Sequence, residues 1–242
     1  MSDVGERIAA LRRRIDAAAA RAGRRPEDVT LVGVSKRQPA AAIARAVLAG
    51  LEDVGESYVQ EALDKLPRVE EALRAEGRNA PRWHFIGRLQ RNKARRVAER
   101  FDVVHTLDRT ALGDALDRHA AAADRQLAVL LQIDLDGEPQ KGGVVPDDAA
   151  ALLAASADWP ALDVVGLMAI PAASEDPERT RGAFARLRAL RDALREAPGG
   201  EGLRELSMGM SADFEVAIEE GATIIRVGTA AFGPRDPGGQ PA

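Results

Sequence analysis

The 242-residue sequence contains no cysteine and only three histidines, at positions 84, 105 and 119. The absence of cysteine excludes disulfides, thiolate nucleophiles and thiolate metal sites, and it fits a reducing cytoplasm, where we expect the protein to reside. The histidines do not have the spacing of a zinc-binding helix motif, so a histidine-built metal centre is not expected.

Charge of one sign and long apolar runs are also scarce. The formal net charge is -4 at pH 7, which gives no overall attraction to nucleic acid or to an anionic membrane surface. No run approaches the ~18 apolar residues that a bilayer-spanning helix needs. The N-terminal segment is charged throughout and lacks the apolar centre of a secretion signal. We therefore expect neither a nucleic-acid partner nor a membrane partner.

The chain does contain a regular alternation of β-branched runs with stretches rich in Ala, Leu and Arg. Before it, one helical face collects apolar residues and predicts an amphipathic N-terminal helix: Ile8, Leu11, Ile15, Ala18 and Ala22. From residue 29 onward the pattern predicts eight strands, each followed by a helix or the chain end: 29–36, 52–57, 82–87, 103–108, 127–136, 162–171, 205–211 and 223–233.

Eight βα units over this length favour an α/β fold of the closed (β/α)8 TIM barrel type over an open doubly wound sheet. No linker rich in Pro, Gly and Ser divides the chain. The predicted organisation is one barrel domain over residues 1–235, with an extra N-terminal helix, and a disordered tail over residues 236–242.

Polar residues gather at the predicted carboxyl ends of the strands, where the functional face of a parallel barrel lies. Lys36 ends the first strand, and two chemical explanations for it stay open. A partly desolvated lysine has a lowered pKa, so its neutral amine can attack a carbonyl and form a Schiff base. Alternatively, the strand simply ends and the side chain extends into water.

Strands seven and eight end in small residues that would let backbone N–H groups approach an anion: Gly209, Ser211, Gly228 and Thr229. Helix capping by Ser211 or Asp213 and tight turning is the alternative. Arg226 lies inside an apolar strand, so it must meet a carboxylate, a phosphate or a ring nitrogen. The basic run 88–100 favours a solvated helix face over contact with RNA or an acidic partner.

Six sequence blocks occur in this order: LVGVSKRQP, VGESYVQEALDK, WHFIGRLQRNKAR, QKGGV, VGLMAIP and LSMGMSADFEVAIEEGATIIRVGTAAFGPR. Together they resemble the PLP homeostasis protein family, single-domain proteins that bind pyridoxal 5'-phosphate (PLP) in a barrel similar to the N-terminal domain of alanine racemase. The resemblance runs from about residue 6 to residue 235.

The resemblance implies a PLP cofactor held as a Schiff base on Lys36. It further implies a phosphate site at Ser211, Gly228 and Thr229, and contact between Arg226 and the pyridine nitrogen. His84 and Met210 are expected to line the ring. Ser57 is also expected to contact the cofactor, although it stands where the family usually has asparagine and its side chain is shorter.

The family resemblance implies a carrier and buffer that delivers PLP to apoenzymes, without an established turnover reaction. An arginine at the ring nitrogen agrees with this, because a group that is always protonated discourages pyridinium formation and weakens the electron sink. The alternative is an amino-acid racemase, which needs a second acid/base on the opposite ring face. A phosphate-binding barrel unrelated to PLP is a third possibility. The expected partners are PLP and PLP-dependent apoenzymes, and the chain is expected to be a monomer.

Overall fold

A computed structural model describes residues 4–138, 142–172 and 176–233. Eight parallel strands pair in chain order, and the last pairs with the first, so the sheet closes into a barrel. The strands are β1 (Thr30–Val34), β2 (Asp53–Glu56), β3 (Arg82–Phe85), β4 (Val103–Leu107), β5 (Leu127–Ile133), β6 (Leu162–Ala169), β7 (Glu205–Ser207) and β8 (Ile224–Val227). The predicted TIM barrel fold is confirmed.

Helices follow the strands and cover the outside of the barrel. They are α1 (Val4–Arg21), α2 (Ala40–Leu48), α3 (Val59–Ala75), α4 (Ala94–Arg100), α5 (Thr110–Ala122), α6 (Ala149–Ala154), α7 (Glu178–Arg195), α8 (Phe214–Glu219) and α9 (Thr229–Phe232). Among the helices of these described ranges, none combines the length and the apolar character that crossing a membrane would take.

The alternation of side chains along the strands separates two apolar clusters. Val32, Val103, Leu130, Met168 and Ile224 belong to the smaller cluster, which fills part of the barrel lumen. The strand residues between them, such as Val104 and Ile225, belong to the larger cluster that packs against the helices. A polar residue that alternates in phase with the smaller cluster along a strand therefore faces the lumen or its mouth.

Helix α1 fastens the seam at which β8 meets β1. Its buried face contains Ile8, Leu11 and Ile15, as predicted, whereas the predicted Ala22 lies beyond the helix end. Ion pairs join Arg14 to Glu215 and Arg21 to Glu219. The first helix is thus tied to α8, which immediately precedes the last strand.

The predicted strands are longer than the observed ones at their carboxyl ends. The predicted strand 205–211 ends at Ser207, because Gly209 has a φ of +90° and breaks the extended backbone. The predicted strand 223–233 is wrong after Val227, since α9 begins at Thr229 and buries Phe232. Of the two predicted caps of α8, Asp213 occupies the cap position and Ser211 does not. The predicted tail, 236–242, lies outside the described residues.

Candidate functional site

Lys36 lies two residues beyond the end of β1, in a turn at the barrel mouth. The backbone N–H of Ser35 still donates to the carbonyl of Gly55 over 2.9 Å, so β2 holds the chain up to this point. Lys36 follows Val32 and Val34 in the alternation of the strand, and Val32 faces the lumen. The half-buried lysine is therefore in phase with the lumen-facing side of β1.

Two side chains of α3 hold the backbone on either side of Lys36. Lys65 donates from Nζ to the carbonyl of Ser35 over 2.8 Å. Glu61 accepts the backbone N–H of Arg37, a residue whose φ of +63° lies in the left-handed region that non-glycine residues rarely adopt. The turn that carries Lys36 is consequently fixed from both directions.

A buried carboxylate on β2 completes this support. Glu56 is fully buried, and its Oε1 accepts from Ser35 Oγ over 2.6 Å and lies 2.5 Å from Lys65 Nζ. Lys65 also bonds Glu61 Oε1 at 2.8 Å. Burial raises the pKa of Glu56, and the positive charge of Lys65 opposes that rise. We call Glu56, Glu61 and Lys65 the lysine-loop clamp.

Strand β8, which pairs with β1, and its other neighbour β7 bring the predicted phosphate contacts together. The hydroxyls of Ser211 and Thr229 lie 3.5 Å apart, and Gly228 directly precedes α9. Met210 is 36% exposed, and its backbone N–H donates to Asp213 over 2.7 Å. Ser211, Gly228 and Thr229 thus form one small, hydroxyl-bearing surface next to the strand that leads to Lys36.

Arg226 is buried in β8 and points to neutral acceptors. It donates to Ser207 Oγ over 2.5 Å and to the carbonyl of Ala169 over 2.9 Å. The ion pairs found among the described residues include none with Arg226, so the structural salt bridge considered from the sequence is not seen there. Burial lowers the pKa of Arg226 to about 10, and Asp213 partly counteracts this. The group remains a cation at neutral pH.

His84 and Ser57 lie farther round the barrel, on β3 and at the end of β2. The His84 ring is buried, and both of its nitrogens meet protein groups, His105 and Asp53, each at 2.8 Å. Ser57 is half-buried and lines a cavity of about 890 Å³ beside the mouth. Lys65 and Glu61 are in the wall of the same cavity. Of the predicted contacts, Ser57 alone lines it.

Sequence reasoning missed the lysine-loop clamp, and it missed the roles of Ser207 and His105 in the lumen. One available signal was the spacing of Glu61 and Lys65, four residues apart on a helix, where opposite charges face each other. Another was the alternation in β4, which puts His105 in phase with the lumen-facing Val103.

Comparison with known proteins agrees with this geometry. The barrel, with a lysine after its first strand, defines the class "Alanine racemase, N-terminal domain", whose family model matches residues 7–236. Within this class, the similarity to curated relatives identifies the family. The chain belongs to the pyridoxal phosphate homeostasis protein family.

The relatives that carry this assignment match over nearly their whole length. The pyridoxal phosphate homeostasis protein of Pseudomonas aeruginosa is 46% identical over 239 residues, 98% of each chain. The protein of the same name from Escherichia coli K12 is 43% identical over 243 residues, again 98% of each. The solved structure of Synechococcus elongatus PipY with PLP bound is 38% identical, with a TM-score of 0.82, covering 95% of this chain and 100% of that one.

Gly87 offers a test of the packing next to Ser57. A Cβ at Gly87 would lie 2.0 Å from the carbonyl oxygen of Ser57, a contact that the backbone must move to relieve. We expect Gly87→Ala to lower the free energy of unfolding by about 1–3 kcal/mol. Urea unfolding measures this loss.

Gly182 provides the matched control for that substitution. It lies exposed within α7, where an added Cβ meets nothing within 4 Å. Gly182→Ala should therefore raise stability by roughly 0.5–1 kcal/mol. Equal effects of the two substitutions would contradict the close approach of Gly87 to Ser57.

Proposed function

We propose that this chain binds PLP, holds it as a Schiff base on Lys36, and serves as a carrier and buffer that delivers PLP to apoenzymes. The observation that carries the proposal is the position of Lys36, at the lumen-facing end of β1 in a turn held by Lys65 and Glu61. The PLP found in Synechococcus elongatus PipY and the names of the curated relatives support it.

The residues at the mouth suit the chemical groups of PLP. When bound, PLP supplies an aldehyde that condenses with a primary amine and a phosphate that needs hydrogen-bond donors. Ser211 and Thr229 offer adjacent hydroxyl donors, and Gly228 leaves the backbone accessible. Met210, His84 and Ser57 are proposed to contact the ring side of the cofactor.

Arg226 is proposed to donate a hydrogen bond to the pyridine nitrogen. Within the described part of the chain, the hydrogen-bond acceptors of this buried cation are the Ser207 hydroxyl and the Ala169 carbonyl, which are both neutral. A cation there opposes protonation of the ring nitrogen, and an unprotonated ring is a poorer acceptor of electrons from a bound amino acid. The arrangement therefore favours storage of the cofactor over racemisation, and the relatives' names favour the same choice.

Transfer to an apoenzyme distinguishes the carrier from the racemase. We expect PLP-loaded protein, freed of excess cofactor, to restore activity to an apo-form PLP enzyme, and we expect no racemisation of amino acids followed by optical rotation. Gel filtration would test the expected monomer. Lys36-dependent racemisation would overturn the carrier function, and failure to restore the apoenzyme would remove the delivery step.

A further inference from the structure

A row of polar side chains crosses the lumen of the barrel. The hydroxyl of Ser207 lies 2.8 Å from Nδ1 of His105, whose Nε2 lies 2.8 Å from Nδ1 of His84. Nε2 of His84 lies 2.8 Å from Asp53. Arg226 donates to Ser207 at the other end. Among these, the residues that are at most 4% exposed are His84, His105, Ser207 and Arg226. We call Asp53, His84, His105 and Ser207 the lumen chain.

The groups at the two ends of the lumen chain fix the direction of its outer hydrogen bonds. A guanidinium has no acceptor, so Ser207 accepts from Arg226, and its own hydroxyl hydrogen is available to Nδ1 of His105. The Asp53 carboxylate only accepts, so His84 carries its proton on Nε2.

The hydrogen bonds in the middle of the lumen chain are consistent with those at both of its ends. Burial lowers the pKa of His105 well below its usual value, and the positive charge of Arg226 adds to this effect. His105 is therefore neutral, and with the Ser207 hydrogen on its Nδ1 it carries its proton on Nε2, directed at Nδ1 of His84. In this arrangement all donors point from the cation of Arg226 toward the carboxylate of Asp53.

We propose that the lumen chain is a positioning device that holds the Arg226 guanidinium in place for the ring nitrogen of the cofactor. The inference rests on the proposed function. Aligned hydrogen bonds polarise one another, so the chain links the buried cation to a carboxylate that does not itself touch it. The bonds to Ser207 and Ala169 also fix the orientation of the guanidinium and leave further N–H groups for a ligand.

A purely space-filling role does not explain the chain. Barrel interiors are usually filled by branched apolar side chains, and such residues would spare the protein the desolvation of polar groups. The polar row instead begins at the buried arginine and ends at the half-buried Asp53. The polar composition of the lumen chain is therefore explained by the buried Arg226 at its end.

The tautomers of the histidines test the direction of the chain in cofactor-free protein. The sequence has three histidines, and His119 on α5 is an internal reference outside the chain. We expect nitrogen-15 NMR to show neutral rings protonated on Nε2 for His84 and His105. In Asp53→Asn, whose amide can donate to Nε2 of His84, we expect the protons of His84 and His105 to move together to Nδ1, which reverses the chain. A wild-type His105 protonated on Nδ1 would overturn the proposal.

The cofactor reports the positioning itself. In PLP-loaded protein we expect Ser207→Ala to shift the absorption of the lysine-bound cofactor and to weaken PLP retention on the order of tenfold, the size typical of lost outer hydrogen-bond partners. Asp53→Asn should change the spectrum in the same direction. It is the second variant for this test if Ser207→Ala does not fold. Thr180→Val removes a buried hydroxyl on α7 that donates to the Pro177 carbonyl, and it should match the wild type.

The outcomes separate the two proposals. The lumen chain alone would be overturned if the Ser207 and Asp53 variants kept the wild-type spectrum and wild-type PLP retention while borohydride still fixed PLP to the protein. Wild-type protein to which borohydride fixes no PLP would overturn the proposed function and this inference with it.

Discussion

Lys36→Ala is expected to abolish the absorption band of lysine-bound PLP and to leave the barrel folded. The amine of Lys36 can bond covalently to the aldehyde of PLP, and the alanine side chain cannot. Its loss should weaken retention of PLP by at least about a hundredfold, or about 2.7 kcal/mol at 1.4 kcal/mol per factor of ten. Absorption spectra after dialysis, together with circular dichroism, measure both effects.

The small number of lysines makes it simple to determine which lysine binds PLP. The sequence has four, at positions 36, 65, 93 and 141. Lys93 is exposed in the basic run beside the mouth, so Lys93→Ala is the matched control and should retain the band. Peptide mapping after borohydride reduction should place the modification on Lys36. A modified Lys93 or Lys141, or a band that persists in Lys36→Ala, would contradict the assignment.

Lys65→Met is expected to cause the largest loss of stability among these substitutions. Lys65 is 11% exposed in its side chain and lies 2.5 Å from Glu56 and 2.8 Å from Glu61. Its removal leaves two carboxylates near each other without their cation. Removing one partner of a buried ion pair typically costs about 3–5 kcal/mol, and denaturant unfolding at pH 7 should show a loss of this order.

The loss should diminish as the pH falls. Burial already raises the pKa of Glu56, and removing Lys65 takes away the charge that limits the rise. Folded Lys65→Met protein therefore binds a proton at a pH where the unfolded chain does not, so its stability increases as the pH falls from 7 toward the ordinary glutamate pKa. A deficit that grows on acidification would contradict this explanation.

Two further variants separate the clamp from ordinary surface charge. Glu56→Gln combined with Lys65→Met should recover part of the lost stability, because one unpaired carboxylate is gone. Arg95→Met breaks a pair with Glu99 that is exposed on α4, and it should have little effect. If Arg95→Met and Lys65→Met were equally harmful, burial would not be the cause.

The barrel could be predicted from the sequence because its signal is repeated along the chain. Short, mostly apolar runs alternate with helical stretches, and all eight predicted runs contain a strand of the sheet. The carboxyl ends of the strands were harder to predict, because loops such as the one at Gly209 continue the apolar pattern after the backbone has left the extended region. Composition does not record that change of φ.

The site was predictable only in part, for a related physical reason. Lys36 could be singled out because a lysine after an apolar strand is unusual, but the strand left two explanations open and the family resemblance supplied its expected role. The contacts of Glu56, by contrast, join β2 to Ser35 and to α3, and no local pattern announces a contact among three separate elements. The lumen chain is still less local, since His105 and Ser207 are 102 positions apart.

The seam between β8 and β1 has a consequence for the newly made chain. Lys36 is synthesised long before Ser211, Arg226 and Thr229. Helix α1 must likewise wait for α8 before the two can pair. Contacts of such long sequence separation form late. Under the proposed assignment, a ribosome-bound fragment that stops before Ser211 has the reactive amine but none of the phosphate or ring-nitrogen contacts. PLP capture should therefore wait until β8 and α9 have left the ribosome.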